Sequence, residues 1–256
     1  MTRTARCPTL SAIMCPKETE MYLWYAREAY PYTRRDDLDQ CRATVQTVVR
    51  RVTLLGKEGA FDNKTILLMG DDDLLSLAIL HAHPEARIMV IDKDAELLSY
   101  ILGMNTNLGC INYDVRSPLP SELVNAYDVV FTDPPYTTAG QELFLRRAVR
   151  AMKPKNGSVL YMCGSVLYLD EAKIMGIISL AECFGLKLEH CYSGFNDYEL
   201  LDDVARDMVL AGKDPKKEPF SSNLYKYVAE WTIGDRIEDD ASIEDLDIYN
   251  YGHTNG

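Results

Sequence analysis

The sequence has few of the residues that bind transition metals or build disulfide frameworks. It contains only four histidines, and its seven cysteines include no C-x-x-C pair. His81 and His83 lie two positions apart on a predicted helix, so they do not share a face. No metal site is expected, zinc included. We predict that most of the cysteines are reduced and buried in apolar surroundings, as in a cytoplasmic protein.

Long apolar runs and excess positive charge are also missing. No run approaches the roughly 20 apolar residues of a membrane span, and the first residues lack the apolar region of a secretory signal. The chain has 27 Lys and Arg against 39 Asp and Glu, a net charge of −12. We therefore expect no nucleic-acid or membrane partner, because basic faces bind phosphates. A cationic partner fits better, although an acidic surface can also serve solubility alone.

Short apolar runs alternate with helical patterns and predict an α/β fold. The 256 residues, 47% of them hydrophobic, can form one large domain. The last predicted strand, 224–233, alternates apolar and polar residues and should pair antiparallel. We expect a Rossmann-like, methyltransferase-type fold, with a mostly parallel seven-stranded sheet and an antiparallel last strand. The other predicted strands are 66–69, 87–91, 110–113, 127–132, 157–163 and 186–195.

Three regions flank or interrupt this predicted domain, which spans residues 59–235. Residues 1–58 form an N-terminal extension and helix, with an amphipathic pattern at 39–55. Residues 196–222 are an acidic insertion placed to act as a lid. Residues 236–256 have the composition of an acidic flexible tail.

The N-terminal extension is rich in aromatic residues between Tyr22 and Tyr32. Tyr22 to Tyr30 predicts a short helix that Pro31 ends. Two interpretations stay open: the aromatic side chains cover an edge of the core, or they form one wall of a cation site.

The stretch T-I-L-L-M-G-D-D-D carries the first chemical signal. An apolar strand ends at Gly70, where a turn into a helix favours a residue without a Cβ. Asp72 or Asp73 is the predicted N-cap of that helix. The carboxylates of Asp71, Asp72 and Asp73 disfavour an anionic ligand and favour an ammonium or sulfonium group. The simpler alternative is an acidic helix start stabilised by the helix dipole.

Acidic residues also follow the next two predicted strands. Asp92 comes 22 residues after Gly70, the spacing of an acid that holds ribose hydroxyls. Asp114 is a candidate partner for an adenine amino group. Acidic residues are common after strands, so the simpler alternative is that neither residue binds a ligand.

The sequence D-P-P-Y follows the fourth predicted strand. Its two prolines stiffen a backbone whose carbonyl, together with the Asp133 carboxylate, can accept hydrogen bonds from an amino group. Tyr136 adds an aromatic face for a cation or a stacked ring. Ligands of open α/β sheets bind at such strand ends. The alternative is a proline-rich turn without chemistry.

Together these motifs resemble one enzyme family. The run Gly70-Asp71-Asp72-Asp73-Leu74-x-Ser76, followed by Asp133-Pro134-Pro135, is similar to the catalytic domain of the branched-chain polyamine synthases, also called N4-bis(aminopropyl)spermidine synthases. The resemblance covers about residues 38–235. It also includes Asp39-Gln40, Thr44, Thr47, Arg50-Arg51, F-N-D-Y at 195–198 and L-Y-K at 224–226.

The resemblance implies transfer of an aminopropyl group from decarboxylated S-adenosylmethionine to a polyamine, with release of methylthioadenosine. It implies that Asp73 is catalytic, with Asp133 opposite, and we expect both to be catalytic acids that orient the amine and take up its proton. Predicted co-substrate ligands are Gly70, Asp71, Asp72, Asp92 and Asp114, and predicted acceptor contacts are Pro134, Pro135, Tyr136, Asp197 and Tyr198.

Three features depart from the family pattern. Residues 1–37 stand where the family has a winged-helix domain, which we expect to be absent. Asp197 occupies the position of a glutamate, and Tyr136 follows the prolines where some members carry an acid. All three departures lie where an acceptor would be held.

Two other functions remain open. The D-P-P-Y motif also presents amines in S-adenosylmethionine-dependent N-methyltransferases, whose substrate here would be a protein or small-molecule amine. A non-catalytic adaptor on a methyltransferase fold is the third alternative, although the retained acids argue against it. The sequence names neither the acceptor nor the oligomeric state, for which a homodimer is one alternative.

Overall fold

The described chain alternates helices and strands. The computed structural model describes residues 15–30, 34–230 and 247–249. Its strands are β1 (Thr65–Met69), β2 (Arg87–Asp92), β3 (Gly109–Asn112), β4 (Val129–Thr132), β5 (Val159–Gly164), β6 (Leu186–Asp197) and β7 (Ser221–Ala229). Its α-helices are α1 (Pro16–Ala29), α2 (Val45–Lys57), α3 (Leu75–Ala82), α4 (Ala95–Met104), α5 (Thr138–Ala151), α6 (Glu171–Cys183) and α7 (Asp202–Leu210).

The strands form one sheet in the order β3-β2-β1-β4-β5-β7-β6. Strand β7 runs antiparallel to both of its neighbours, and the other pairs are parallel. Leu67 in the centre of β1 pairs with Met89 of β2 on one side and Val130 of β4 on the other. The predicted Rossmann-like fold, with a mostly parallel seven-stranded sheet and an antiparallel last strand, is confirmed.

Apolar side chains cover both faces of this sheet. In β1, Ile66 and Leu68 belong to a core cluster with α1, α2, α3 and α4, whereas Leu67 and Met69 belong to a second cluster with α5 and α6. Because side chains alternate along a strand, the two clusters lie on opposite faces. A strand between two helical layers must be apolar at every position, which explains the continuous run I-L-L-M.

The N-terminal helices differ from the predicted ones in their bounds. Helix α2 begins at Val45 and not at Asp39, because Thr44 is its N-cap and accepts a hydrogen bond from the Thr47 amide. The residues before it are extended: Ala43 forms an antiparallel bridge with Tyr198. A backbone that pairs with another strand cannot also form helical hydrogen bonds, so the prediction placed the start too early.

One aromatic residue of α1, Tyr22, packs against the core, as in the first of the two interpretations. Tyr22 stacks on His81 with ring centroids 4.2 Å apart, while Trp24 and Tyr25 are exposed. Leu23 on the inner face is fully buried. No described residue of α1 lines the cleft described below.

The predicted insertion at 196–222 is shorter in the structure. Asn196 and Asp197 still belong to β6, and Ser221 and Ser222 already belong to β7. The intervening segment contains α7. The predicted strand end at 230–233 falls mostly outside the described residues, and so does most of the predicted tail.

One part of that predicted tail is described. Ile248 is fully buried. The acidic composition of the segment did not predict this, because composition averages over a segment and does not identify a single buried residue.

The cysteines are less buried than predicted. Of the six described ones, all free, only Cys163 is buried, while Cys15, Cys183 and Cys191 are exposed. Within the described residues no helix has the length and apolarity to cross a membrane. The same residues contain no group of three or more side chains arranged to hold a metal ion.

Candidate active site

A cleft lies above the carboxyl ends of β1, β2 and β4. Its volume is about 1200 Å³, measured out to its open mouth. Ligands of open α/β sheets bind in this position. The charged side chains among its described lining residues are Asp39, Asp72, Asp92, Asp133, Asp203 and Asp207, with Arg34 and Lys93. Six carboxylates against two cationic groups make the cleft electronegative, which favours a cationic ligand.

The first wall of the cleft is the turn after β1. Gly70 has a φ of +86° and Leu74 a φ of +64°, both in the left-handed region. The Leu74 amide donates to the Asp71 carbonyl at 2.9 Å, which closes a turn before α3 begins. Leu74 is therefore the N-cap, and the predicted N-caps Asp72 and Asp73 were wrong. The helix starts later because the three acids, together with Leu74, form the turn that precedes it.

This turn directs its three consecutive carboxylates to three different places. Asp71 is buried beneath the turn and accepts hydrogen bonds from the amide and hydroxyl of Ser76. Asp73 is also buried and pairs with Arg51. Of the three, only Asp72 lines the cleft.

Asp72 is the acid of the turn that a ligand can contact. Its Oδ2 atom has no hydrogen-bond partner among the described residues. Burial, followed by repulsion from Asp73, Asp92 and Asp133, raises the pKa of Asp72 to about 8. A bound cation would remove this repulsion. The turn therefore has an unfilled requirement for positive charge.

The two other predicted co-substrate acids lie in different environments. Asp92 lines the cleft and accepts hydrogen bonds from the amides of Asp94, at 2.8 Å, and Asp71, at 3.1 Å. Burial raises its pKa to about 6. Asp114 lies outside the described cleft lining and forms an ion pair with Arg116 at 2.6 Å. That hydrogen-bonded pair holds the pKa of Asp114 well below its usual range.

A buried arginine connects the turn after β1 to the loop after β4. Arg51 of α2 is 1% exposed and donates to Asp73 and, at 2.7 Å, to Asp133 Oδ2. Its Nε donates to Asn196 Oδ1 at 2.8 Å, and its guanidinium lies 5.0 Å from the centre of the Phe131 ring. A buried guanidinium is stable only when paired in this way.

Sequence reasoning named Arg51 within the family resemblance but gave it no role. A signal was present. Arg51 lies three residues after Val48 and four before Leu55, on the apolar stripe of an amphipathic helix. A charged residue in that stripe must be paired inside the protein.

The D-P-P-Y loop is held by hydroxyl groups. Asp133 Oδ1 accepts a hydrogen bond from Tyr136 at 2.8 Å, and Oδ2 accepts one from Tyr198 at 2.8 Å. Ser222 Oγ lies 2.8 Å from the Tyr198 hydroxyl. Burial and the Asp133 charge raise the pKa of both tyrosines well above the usual value, so both are neutral donors. Pro134, like Pro135, lines the cleft.

Aromatic rings and acids form one end of the cleft. The rings of Tyr198 and Phe220 are 5.0 Å apart, and Tyr168 lies 5.8 Å from Phe220. Helix α7 adds Asp203, which pairs with Arg34 at 3.0 Å, and Asp207, which accepts from the Tyr168 hydroxyl. Aromatic faces with nearby carboxylates are suited to ammonium groups.

Asp197, the predicted acceptor contact beside Tyr198, is not at this end. It pairs with Arg50 at 2.7 Å and lies outside the described cleft lining. Adjacent residues of an extended strand point to opposite sides, so only one of the pair reaches the cleft.

Comparison with known proteins agrees with this geometry. Residues 21–251 match the family model of the branched-chain polyamine synthase A C-terminal domain. The chain belongs to this family. The match begins before the resemblance at residues 38–235 and therefore includes most of α1.

Curated relatives include N(4)-bis(aminopropyl)spermidine synthases from three organisms. The Thermococcus kodakarensis protein is 31% identical over 166 residues, which cover 62% of this chain and 47% of the relative. The Methanocaldococcus jannaschii protein is 32% identical over 124 residues, which cover 46% of this chain and 35% of the relative. The chain thus spans less than half of the length of these relatives.

Among solved structures, the branched-chain polyamine synthase from Thermus thermophilus has the same fold. It superposes with a TM-score of 0.79 at 22% identity, over 98% of this chain and 75% of that protein. That crystal structure contains N4-aminopropylspermidine and 5′-methylthioadenosine.

In this member of the family, the predicted site residues divide into two groups. Those that line the cleft are Gly70, Asp72, Asp92, Asp133, Pro134, Pro135, Tyr136 and Tyr198. Those outside the lining are Asp71, Asp73, Asp114 and Asp197. Sequence reasoning missed several aromatic residues of the lining, including Tyr168, Phe220 and Tyr249, because none of them belongs to a recognised motif.

Proposed function

We propose that this chain is the catalytic part of an aminopropyltransferase. It would move an aminopropyl group from decarboxylated S-adenosylmethionine to a polyamine and release methylthioadenosine. The observation that carries the proposal is Asp72, a cleft-lining carboxylate with an unpartnered Oδ2 and neighbours of like charge. The Thermus thermophilus structure, with its bound polyamine and methylthioadenosine, supports the same class of ligands.

The donor form follows from charge at the turn after β1. S-adenosylmethionine carries a carboxylate, which would add a further negative charge at a position where the pKa values of Asp72 and Asp92 are already raised. The decarboxylated donor has only the ammonium and sulfonium groups. Asp72 would bind the ammonium, while Asp92 at the end of β2 would accept hydrogen bonds from the ribose hydroxyls.

The acceptor would occupy the aromatic end of the cleft. Tyr136, Tyr168, Tyr198 and Phe220 offer ring faces, and Asp203 and Asp207 of α7 offer carboxylates. A polyamine carries several ammonium groups separated by methylene chains. Such a molecule fits a surface on which rings and carboxylates alternate.

The chemical step needs a neutral amine close to the donor. A C–N bond forms while the C–S bond of the sulfonium breaks, and its electron pair stays on sulfur. The nitrogen then releases a proton. Among the described residues, the Tyr136 hydroxyl donates to Asp133 Oδ1, and a carboxylate oxygen has a second acceptor position that the amine would use.

Asp73 would contribute by holding Arg51 rather than by touching the amine. Arg51 donates to Asp133 Oδ2, so it fixes the orientation of that carboxylate. The tyrosines complete this orientation, and positioning supplies much of the rate in such reactions.

Calorimetric titration and product analysis test the proposal together. The full chain is titrated with decarboxylated and with ordinary S-adenosylmethionine, then incubated with each donor and spermidine. We expect tighter binding of the decarboxylated donor and formation of methylthioadenosine with an aminopropylated amine. Equal or reversed affinities, together with methylated product, would establish an N-methyltransferase instead. Binding without any transfer would contradict catalysis by this chain.

A further inference from the structure

The tripeptide Asp247-Ile248-Tyr249 lies against the cleft. Ile248 is fully buried in the core cluster of α5 and α6. The Thr137 hydroxyl donates to the Ile248 carbonyl at 2.7 Å. Tyr249 is half-buried and lines the cleft. One residue is thus anchored in the core, and the next faces the space for a ligand.

Gly140 in the first turn of α5 permits this close approach. A Cβ at residue 140 would lie 2.9 Å from the Ile248 carbonyl oxygen and 2.9 Å from the Pro135 carbonyl oxygen. Both separations are shorter than carbon and oxygen tolerate without a bond. The path of the tripeptide therefore requires a residue without a side chain at this position.

Tyr249 adds to an apolar part of the cleft that is separate from the aromatic end described above. It packs in the same core cluster as Ile91, Tyr113 and Val115. Ile91 lies near the end of β2 and the other two follow β3 directly, beside Asp92. By contrast, Tyr198 and Phe220 belong to the cluster on the opposite face of the sheet.

An apolar slot beside a ribose-binding acid is suited to a purine. A base stacks on aromatic rings through its π face, whatever hydrogen-bonding groups it carries on its edges. Phe144 of α5 also lines the cleft and packs against the same core cluster, so aromatic side chains from three separate segments belong to it.

We propose that Tyr249, presented by the buried Ile248, is a nucleoside-binding residue that contacts the adenine ring of the donor and of methylthioadenosine. The identity of the nucleoside rests on the proposed function. Because the acceptor end lies on the other face of the sheet, Tyr249 acts on the donor and not on the polyamine.

Calorimetric titration with methylthioadenosine tests the inference without turnover. Tyr249→Ala should raise the dissociation constant about tenfold, as loss of a base–aromatic stack does, whereas Tyr249→Phe keeps the ring and should retain binding. Thermal unfolding of both variants checks that the fold is intact. In steady-state assays Tyr249→Ala should raise the donor KM and leave the acceptor KM unchanged.

Two truncations form a matched pair. A chain that ends at Tyr249 should bind methylthioadenosine as the full chain does, and a chain that ends at residue 246 should bind as weakly as Tyr249→Ala. The two chains differ by one acidic residue, Asp247, so net charge does not account for such a difference. Equal binding by both, or full affinity in Tyr249→Ala, would overturn the inference.

The outcomes also separate this inference from the proposed reaction. A wild-type chain that binds methylthioadenosine but transfers no aminopropyl group would refute the reaction and leave the role of Tyr249 intact. Aminopropyl transfer by the wild-type chain, together with unchanged methylthioadenosine binding in Tyr249→Ala, would support the reaction and refute the role of Tyr249. Absence of methylthioadenosine binding in the wild-type chain would overturn both.

Discussion

Arg51 Nη2 lies 2.7 Å from Asp133 Oδ2 and so joins the second helix of the chain to the loop after β4. The same guanidinium pairs with Asp73, in the turn after β1. Two loops that meet only at the end of the sheet are thereby held at a fixed separation. The geometry of the cleft between them therefore depends on Arg51, a buried charge that lies outside the described cleft lining.

Removal of Arg51 should therefore destabilise the fold. Arg51→Met leaves the carboxylates of Asp73 and Asp133 without their partner, and a buried pair broken in this way costs about 3–5 kcal/mol. Urea unfolding measures the change. The adjacent Arg50 is the control: its pair with Asp197 is half-exposed, so Arg50→Met should cost less than about 1 kcal/mol. Similar losses in both variants would contradict the role assigned to Arg51.

Asp73 and Asp133 should both be needed for turnover but for different reasons. Asp133→Asn removes the proton acceptor and Asp73→Asn releases Arg51, and each should reduce kcat by roughly 10²-fold or more. Asp73→Asn should lower stability more than Asp133→Asn, because both acids pair with Arg51 but Asp73 is the more buried of the two. Steady-state kinetics and urea unfolding of the same preparations make the comparison. Near-normal turnover in both variants would refute the assignment.

Asp72 should make the ligand-free protein less stable as pH rises. Its pKa of about 8 exceeds the roughly 3.9 of an unfolded aspartate. Between these values the folded protein holds a proton that the unfolded chain has lost, so the free energy of unfolding decreases with increasing pH. Asp92, with a pKa of about 6, adds to the decrease at the acidic end.

Urea unfolding at several pH values from 5 to 8 checks this expectation. Asp72→Asn should reduce the slope of stability against pH. Asp114→Asn is the control, because the pair with Arg116 keeps the pKa of Asp114 well below its usual range. That residue is ionised throughout the pH range, so its replacement should shift stability equally at every pH. An unchanged slope in Asp72→Asn would show that its carboxyl is not the group responsible.

The acids of α7 should guide the acceptor. Asp203→Asn removes a carboxylate from the cleft lining and should raise the acceptor KM, most strongly at low salt, since exposed charges are screened beyond about 8 Å at physiological ionic strength. The donor KM should stay constant. Asp214→Asn, which changes an acid outside the described cleft lining, is the matched control. An equal change of the acceptor KM in both variants would show that the effect comes from the net charge of the protein and not from the position of Asp203.

Much of this protein follows from local sequence. Continuous apolar runs such as I-L-L-M predicted buried parallel strands, and the alternation at 224–233 predicted the antiparallel strand, which is described as Ser221–Ala229. Polar residues directly after these runs, from Gly70 to Asp133, were predicted to meet because parallel strands bring their carboxyl ends to one edge. These inferences need only periodicity and the chirality of βαβ connections.

Only the tertiary structure decided which of these side chains faces a ligand. Asp71, Asp72 and Asp73 are identical in sequence terms, yet a turn with Leu74 in the left-handed region buries two of them and directs one into the cleft. Arg51 bonds Asn196, 145 residues away in the chain. Ile248 fills a site in the core of a domain whose last described strand ends at Ala229. Such pairings depend on which surfaces remain uncovered once the sheet and its helices have packed, and this is a property of the folded chain as a whole.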